Sequence, residues 1–282
     1  LVQGWEVKDM EQPESAKNAV KWFGHKLNKT IEELEDHFSK YRISEALMTV
    51  YKLFWDEFSA WYLEMVKPAY QQPIDKATLD ATLNYFETLL KLLHPFMPFI
   101  TEELYQALKT RDAKDSIMVS LLPKKEDYCN KCLDRMEQTK EIIAGVRNIR
   151  AEKGISPRES FKLFYKGELD AKNNSIIEKL ANVESIDVTP ANGVDGASQT
   201  FMVGTIEVTI PLANNVNAEE EIKKMEEEIK YLEGFLISVN KKLSNEKFVA
   251  NAKPEVVANE RKKQADAESK IATLKANIEK LK

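Results

Sequence analysis

The chain has 282 residues, 43% apolar and 31% charged, with a formal net charge of −5. That length accommodates two domains and a sizeable core, and the composition is that of a globular protein, not of a disordered chain. The acidic balance excludes a protein that is basic throughout, so a nucleic-acid partner would have to be met by local patches.

Only nine glycines in the chain leave room for few tight turns and favour helices. The first residue is Leu1 rather than Met, which suggests a piece cut from a longer polypeptide. No basic segment followed by an apolar one marks a secretory signal. From Ser15, Ala16, Ala19, Val20, Phe23, Leu27, Ile31, Leu34 and Phe38 recur at three- and four-residue steps, the pattern of a long helix with one buried stripe. In YRISEALMTVYKLFWDEFSAWYLEMVKP a wider stripe runs through Ile43, Leu47, Val50, Phe54, Phe58, Trp61 and Met65, and Pro68 ends that helix. Asp75 is a good N-cap for a third helix that turns Leu79, Leu83, Phe86, Leu90 and Leu93 inward.

The most apolar stretch, LLKLLHPFMPFITEELYQAL, is broken by Lys91, His94, Pro95 and Pro98, so it cannot supply the roughly 20 apolar residues of a membrane span. Pro95 ends the third helix at His94. Thr101 is placed to cap a fourth helix, with Glu102 and Glu103 in its first turn. Phe96, Met97, Phe99 and Ile100 make the connection apolar, which predicts a rigid elbow buried against the bundle, its prolines removing backbone donors that burial would orphan.

A helix is expected from about Tyr128 to Lys153, followed by the alternating FKLFYKG, a short helix in SIIEKLAN and the β-branched runs ESIDVTP and TFMVGTIEVTIPL, together a small α+β unit. Cys129 and Cys132 form a single CxxC on the helical segment, far in sequence from the three histidines His25, His37 and His94. Without further ligands they predict no zinc site, and without a preceding strand no thioredoxin-like one, leaving two ordinary thiols in a reducing cytosol. No metal site is expected anywhere in the chain.

From Ala218 a heptad seam runs through Ile222, Met225, Ile229, Leu232, Leu236, Val239 and Leu243. After SNEKFVANAKP a second one follows, with Val257, Gln264, Ile271 and Ile278 at one position and Glu260, Ala267, Leu274 and Leu281 at the other. Two such helices joined by a short loop predict an antiparallel coiled-coil hairpin. Its charge is segregated: residues 219–233 hold seven Glu against three Lys, whereas residues 241–263 hold six Lys and one Arg against three Glu. The basic end contains Lys241, Lys242, Lys247, Lys253, Arg261, Lys262 and Lys263 and suits phosphate contacts. Phe248, in the same turn, either plugs the end of the coil or offers a flat face to a base.

Elsewhere, Trp22, Lys26 and Lys29 at i, i+4 and i+7 beside Phe23 form an aromatic and cationic face for unstacked bases, unless Trp22 simply widens the core stripe. Arg147, Arg150 and Lys153 share a helix face as a weaker backbone-binding candidate, one that ion pairs with neighbouring acids would equally explain. No GxGxxG, Walker A loop, HExxH or nucleophile elbow occurs, so no catalytic residues are assigned.

The order of these pieces resembles the C-terminal part of the bacterial valyl-tRNA synthetases. YRISEAL, FWDEFSAWYLEMVKP and LLKLLHPFMPFITEELYQAL are similar to the anticodon-binding helical bundle of class I synthetases of the valine, isoleucine and leucine group. VRNIRAEKGISP resembles the start of their small connecting domain. KLSNEKFVANAKPEVVANER resembles the hairpin turn of the coiled coil that distinguishes the valine enzymes. The resemblance implies a mainly α fold with a bundle over 1–125, an α+β connecting domain over 126–213 and an antiparallel coiled-coil arm over 214–282. It implies tRNA(Val) as partner, with the bundle on the anticodon stem-loop and the arm on the outer corner of the tRNA where the D and T loops meet. An Arg-Phe pair opens the family's first bundle helix; here Trp22 stands in the Arg position, which removes a charge contact while leaving stacking possible. Glu87 stands where the family has a glutamate facing the anticodon. The ATP-binding signatures and the editing domain are absent, so ATP and Mg belong to the parent enzyme and the chain alone should be inactive. A monomeric cytoplasmic protein is expected, attached to upstream catalytic and editing domains and binding neither DNA nor membrane. The alternative is a non-enzymatic helical and coiled-coil module for protein interaction, which a neutral or acidic hairpin tip would have favoured.

Overall fold

The computed structural model describes residues 6–112, 114–190, 193–194, 198–212, 218–244 and 254–281, except for the side chains of 218–222, 224, 254, 255, 280 and 281. These residues are mainly helical and fall into two compact units, Leu1–Glu137 and Gln138–Lys282.

The first unit is a helical bundle of α1 (Glu14–Ser39), α2 (Ile43–Lys52), α3 (Leu63–Val66), α4 (Lys76–Leu93) and α5 (Pro98–Leu108). A π-helical stretch, Leu53–Tyr62, joins α2 to α3 without a break. Its wider turns shift the inward face. Val50, Leu53, Phe58, Tyr62 and Met65 are buried, with a step of five between Leu53 and Phe58 that no regular α-helix would make. Phe54 and Trp61, expected to point inward, are therefore only partly buried, and Ile43 and Leu47 are exposed.

Asp75 caps α4 as expected, accepting the Thr78 N–H at 2.7 Å. It also pairs in a two-residue parallel ladder with Lys8, one strand being Val7–Lys8 (β1) and the other Ile74–Asp75 (β2). The elbow differs from expectation. Pro98, not the residue after a cap at Thr101, is the first residue of α5, where its fixed φ suits a helix start and its missing donor costs nothing. Thr101 lies inside the first turn, donating its hydroxyl to the Met97 carbonyl and bonding His94 Nδ1, both at 2.7 Å. Phe96 stacks on Phe38, but Phe99 is 89% exposed and Met97 and Ile100 are also exposed. The elbow is thus an apolar surface and not a buried connection, because the helix start at Pro98 turns Phe99 and Ile100 away from the α4–α5 contact.

The second unit contains most of α6 (Asn130–Lys153), α7 (Asn174–Ala181) and a four-stranded sheet. The strands are β3 (Phe161–Lys166), β4 (Val183–Val188), β5 (Ser198–Val203) and β6 (Ile206–Pro211), in spatial order β4-β3-β6-β5. β3 and β4 are parallel, their crossover supplied by α7, while β5 and β6 form a hairpin across Gly204–Thr205. Gly204 has φ +56°, which glycine adopts without strain. Mid-helix Gly145 is required by proximity: a Cβ there would lie 2.2 Å from the Phe201 ring of β5. The arm consists of α8 (Ala218–Leu243) and α9 (Pro254–Leu281). Its core is the predicted seam, with Met225, Ile229, Ile271, Leu274 and Ile278 buried and Leu232 and Leu236 packed against them. Ile222 and Leu281 fall outside the described side chains.

The exposed elbow predicts that Phe99→Ser changes the unfolding free energy of this chain by no more than about 0.5 kcal/mol. A urea titration checks it, and a loss of about 3 kcal/mol, the cost of emptying a buried aromatic site, would contradict the exposure.

Candidate nucleic-acid interface

Of the face proposed on α1, the structure leaves little. Trp22 is 2% exposed and Phe23 fully buried, where its ring meets Phe58 at 5.3 Å, Tyr62 at 4.9 Å and Tyr85 at 5.1 Å between centroids. Neither ring can stack on a base. Trp22 widens the core stripe, its ring edge-on to Phe23 at 6.0 Å. Lys26 is ion-paired with Glu57 at 2.9 Å, and Lys29 is partly exposed on the same helix.

Glu87 also turns inward to structure. Lys109 reaches it at 2.7 Å, Arg111 at 2.9 Å and Lys91 at 3.1 Å. The Arg111 guanidinium lies 3.3 Å from the centre of the Tyr105 ring and also reaches Asp115 at 3.1 Å. Burial pushes the Glu87 pKa up, but hydrogen bonds from Lys109, Lys91 and Arg111 outweigh it and hold the carboxyl at about 2. A carboxylate surrounded in this way ties α4 to the segment after α5 and has little left for a base.

Arg147 donates to the Leu180 carbonyl at 3.0 Å. Arg150 is buried: it donates to the carbonyls of Ser156 at 2.9 Å, Ala181 at 3.1 Å and Asn182 at 3.0 Å and lies over the Phe161 ring at 4.2 Å. Its hydrogen-bond partners are not the neighbouring acids that the sequence suggested but backbone carbonyls, two of them at the end of α7 where Asn182 turns left-handed at φ 50°. Backbone contact with RNA is thereby withdrawn for Arg150.

The arm fares differently. Ion pairs Lys242–Glu260 (3.3 Å), Lys275–Glu233 (3.2 Å) and Lys270–Glu228 (2.8 Å) cross between α8 and α9. Glu260, buried at a seam position, is held charged by Lys263 at 2.7 Å and by Lys242, which draw its pKa down. Lys242 and Lys263 still expose about half of their side chains, and Lys241, Arg261 and Lys262 are exposed. Lys247, Phe248 and Lys253 lie outside the described residues. The described part of this end thus holds five cations, two of which pair with one buried carboxylate.

The sequence matches the family described as the anticodon-binding domain of tRNA ligase over residues 20–165, and the valyl tRNA synthetase tRNA binding arm over residues 217–282. It is similar to the valine–tRNA ligases of Phocaeicola vulgatus (56% identity over 284 aligned residues, 100% of this chain), Parabacteroides distasonis (53% over 279, 99%) and Porphyromonas gingivalis (48% over 282, 100%). In each case the chain spans 32% of the relative's length.

The Glu87 cluster carries a pH signature. Its folded pKa of about 2 lies below the ordinary 4.5, so its stabilisation is complete above about pH 5 and is lost as pH falls through 4.5 towards 2. Glu87→Gln should cost about 2 kcal/mol at neutral pH, discounted for partial exposure, and that difference should shrink steadily in denaturant titrations taken towards about pH 3. A difference independent of pH would show that the charge on Glu87 is not what stabilises the cluster.

With both matches falling on the two regions just described, the chain belongs to the valyl-tRNA synthetase family, of which it carries the anticodon-binding domain and the tRNA-binding arm.

Proposed function

We propose that this chain recognises the tRNA for valine, tRNA(Val), as part of a longer polypeptide that joins valine to that tRNA using ATP. The observation that carries this reading is the arm's basic end. A chain with net charge −5 gathers Lys241, Lys242, Arg261, Lys262 and Lys263 at one end of a coiled coil whose seam residues are buried against one another. Cations held in this way neutralise phosphates and release counterions, which gives affinity that falls steeply with salt. The arm meets the outer corner of the tRNA, and the bundle meets the anticodon stem-loop through surface residues other than Trp22, Phe23 and Glu87. The tip argues against a module built only to bind another protein.

The rest of the longer polypeptide supplies the chemistry. ATP and Mg are assigned to its upstream domains, and no step is routed through this chain. Those domains also account for the bundle's exposed apolar side chains. Tyr41, Ile43, Met48, Tyr51 and Trp55 around α2, and Phe99 at the elbow, are exposed well beyond what an isolated bundle needs, as expected of surfaces that seat another folded body. No helix among the described residues is long and apolar enough to cross a membrane. The working form is a single copy in the cytoplasm, where tRNA is charged.

The test uses variants chosen to spare the Lys242–Glu260 pair. Exchanging Lys241, Arg261 and Lys262 together for Glu should weaken binding of tRNA(Val) at least about tenfold at near-physiological salt and flatten its salt dependence, with helicity unchanged. The same exchange at Lys223, Lys224 and Lys230 near the base should cost much less. Equal losses would reduce the arm to its net charge, and valine charging by the isolated chain would overturn the division of labour.

A further inference from the structure

Cys129 and Cys132 have no part in tRNA recognition as described above, yet their placement is specific. Cys129 immediately precedes α6, and its carbonyl accepts the N–H groups of Cys132 at 3.1 Å and Leu133 at 3.2 Å to open the helix. Its Sγ accepts the Cys132 N–H as well, at 3.1 Å. Sulfur thus stands where the side-chain oxygen of a Ser or Asp cap would stand. An amide aimed at the sulfur and the positive end of a 24-residue helix both favour thiolate over thiol.

Instead of two separate thiols, the structure joins the pair as a disulfide, with 5.2 Å between the Cα atoms. That spacing is within the usual range for a bridge. Both cysteines are partly exposed and within reach of a small reagent. The segment before them is anchored independently. Lys125 and Tyr128 both bond Glu32 of α1, and the Glu126 N–H donates to Asn28 at 2.8 Å. Cys129 is therefore presented at the helix start by contacts that do not depend on the bridge.

We propose that Cys129–Cys132 is a thiol–disulfide exchange site that takes a low-molecular-weight disulfide as oxidant, with Cys129 as the attacking sulfur. The Cys129 thiol gives up its proton and the thiolate attacks one sulfur of the small disulfide. That S–S bond breaks, and the departing small thiolate takes up a proton. Cys132 then loses its proton and attacks Sγ of Cys129, breaking the mixed disulfide and expelling the second small thiol. The protein has lost two hydrogens, and the small disulfide has become two thiols. Where thiols are kept reduced such a bridge is transient, the usual form of cytosolic disulfides that sense oxidants.

The full chain, reduced and then equilibrated in glutathione buffers from reducing to oxidising, is read by intact mass. A species lighter by two hydrogens should accumulate as the buffer becomes oxidising. The C132S variant should stop at one glutathione adduct on Cys129, formed about threefold faster at neutral pH than the adduct on Cys132 in C129S. Substoichiometric iodoacetamide on the reduced wild type gives a reading that needs no variant to fold: label should favour Cys129 over Cys132 by a similar factor. A wild type that stays reduced throughout, or equal reactivity of the two sulfurs in both measurements, would overturn the proposal.

Discussion

The antiparallel seam between α8 and α9 is what lets an acidic chain present concentrated positive charge. Met225, Ile229, Ile271, Leu274 and Ile278 are buried in the seam between the helices, while Lys241, Lys242, Arg261, Lys262 and Lys263 stay on the outside. At the tip the seam accepts a carboxylate, Glu260, that a purely apolar coil would not contain. Lys242 and Lys263 keep it charged, and in turn it holds the first of a group of cations that would otherwise repel one another. With about 26 residues in α8 at roughly 1.5 Å each, the arm can carry this charge some 40 Å along the coil.

In the bundle the same logic runs the other way. Residues with functional chemistry are enlisted in holding the fold: Phe23 and Trp22 in an aromatic core, Glu87 among three cations, and, in the second unit, Arg150 on the open carbonyls after α7. The bundle also leaves apolar side chains exposed, on the outer face of α2 and at the Phe99 elbow. On the proposed function the charge at the end of the arm serves tRNA binding, and the bundle's exposed apolar surface serves the seating of another folded body.

The helices, the α+β unit and the hairpin were legible because periodicity and punctuation agree there. Asp75 caps where a short acceptor before an amphipathic run should cap, Pro68 follows the end of its helix, and the seam steps are those of an antiparallel pair. The errors have local causes. The π-helical turns between Leu53 and Tyr62 change the period, so that a 3.6-residue stripe assigns Phe54 inward and overlooks Tyr62. Trp22 stood open between a base-binding face and the core, beside a Phe23 already in the buried stripe, because a single helix shows only its own stripe and not the width of its partner. Glu87 and Arg150 needed long-range partners, Arg111 and the end of α7, that sequence spacing does not announce. At the elbow, apolar composition suggested burial, although the same composition stands here on an exposed surface.

The most direct measurement of the central claim is the protection of individual lysines from acylation when tRNA(Val) binds, read by mass spectrometry of the intact chain's peptides. The account predicts several-fold slower modification of Lys241, Lys242 and Lys262 in the complex, with Lys223 and Lys230 modified as fast as in the free protein. Protection at the base equal to that at the tip, or at the base alone, would contradict it.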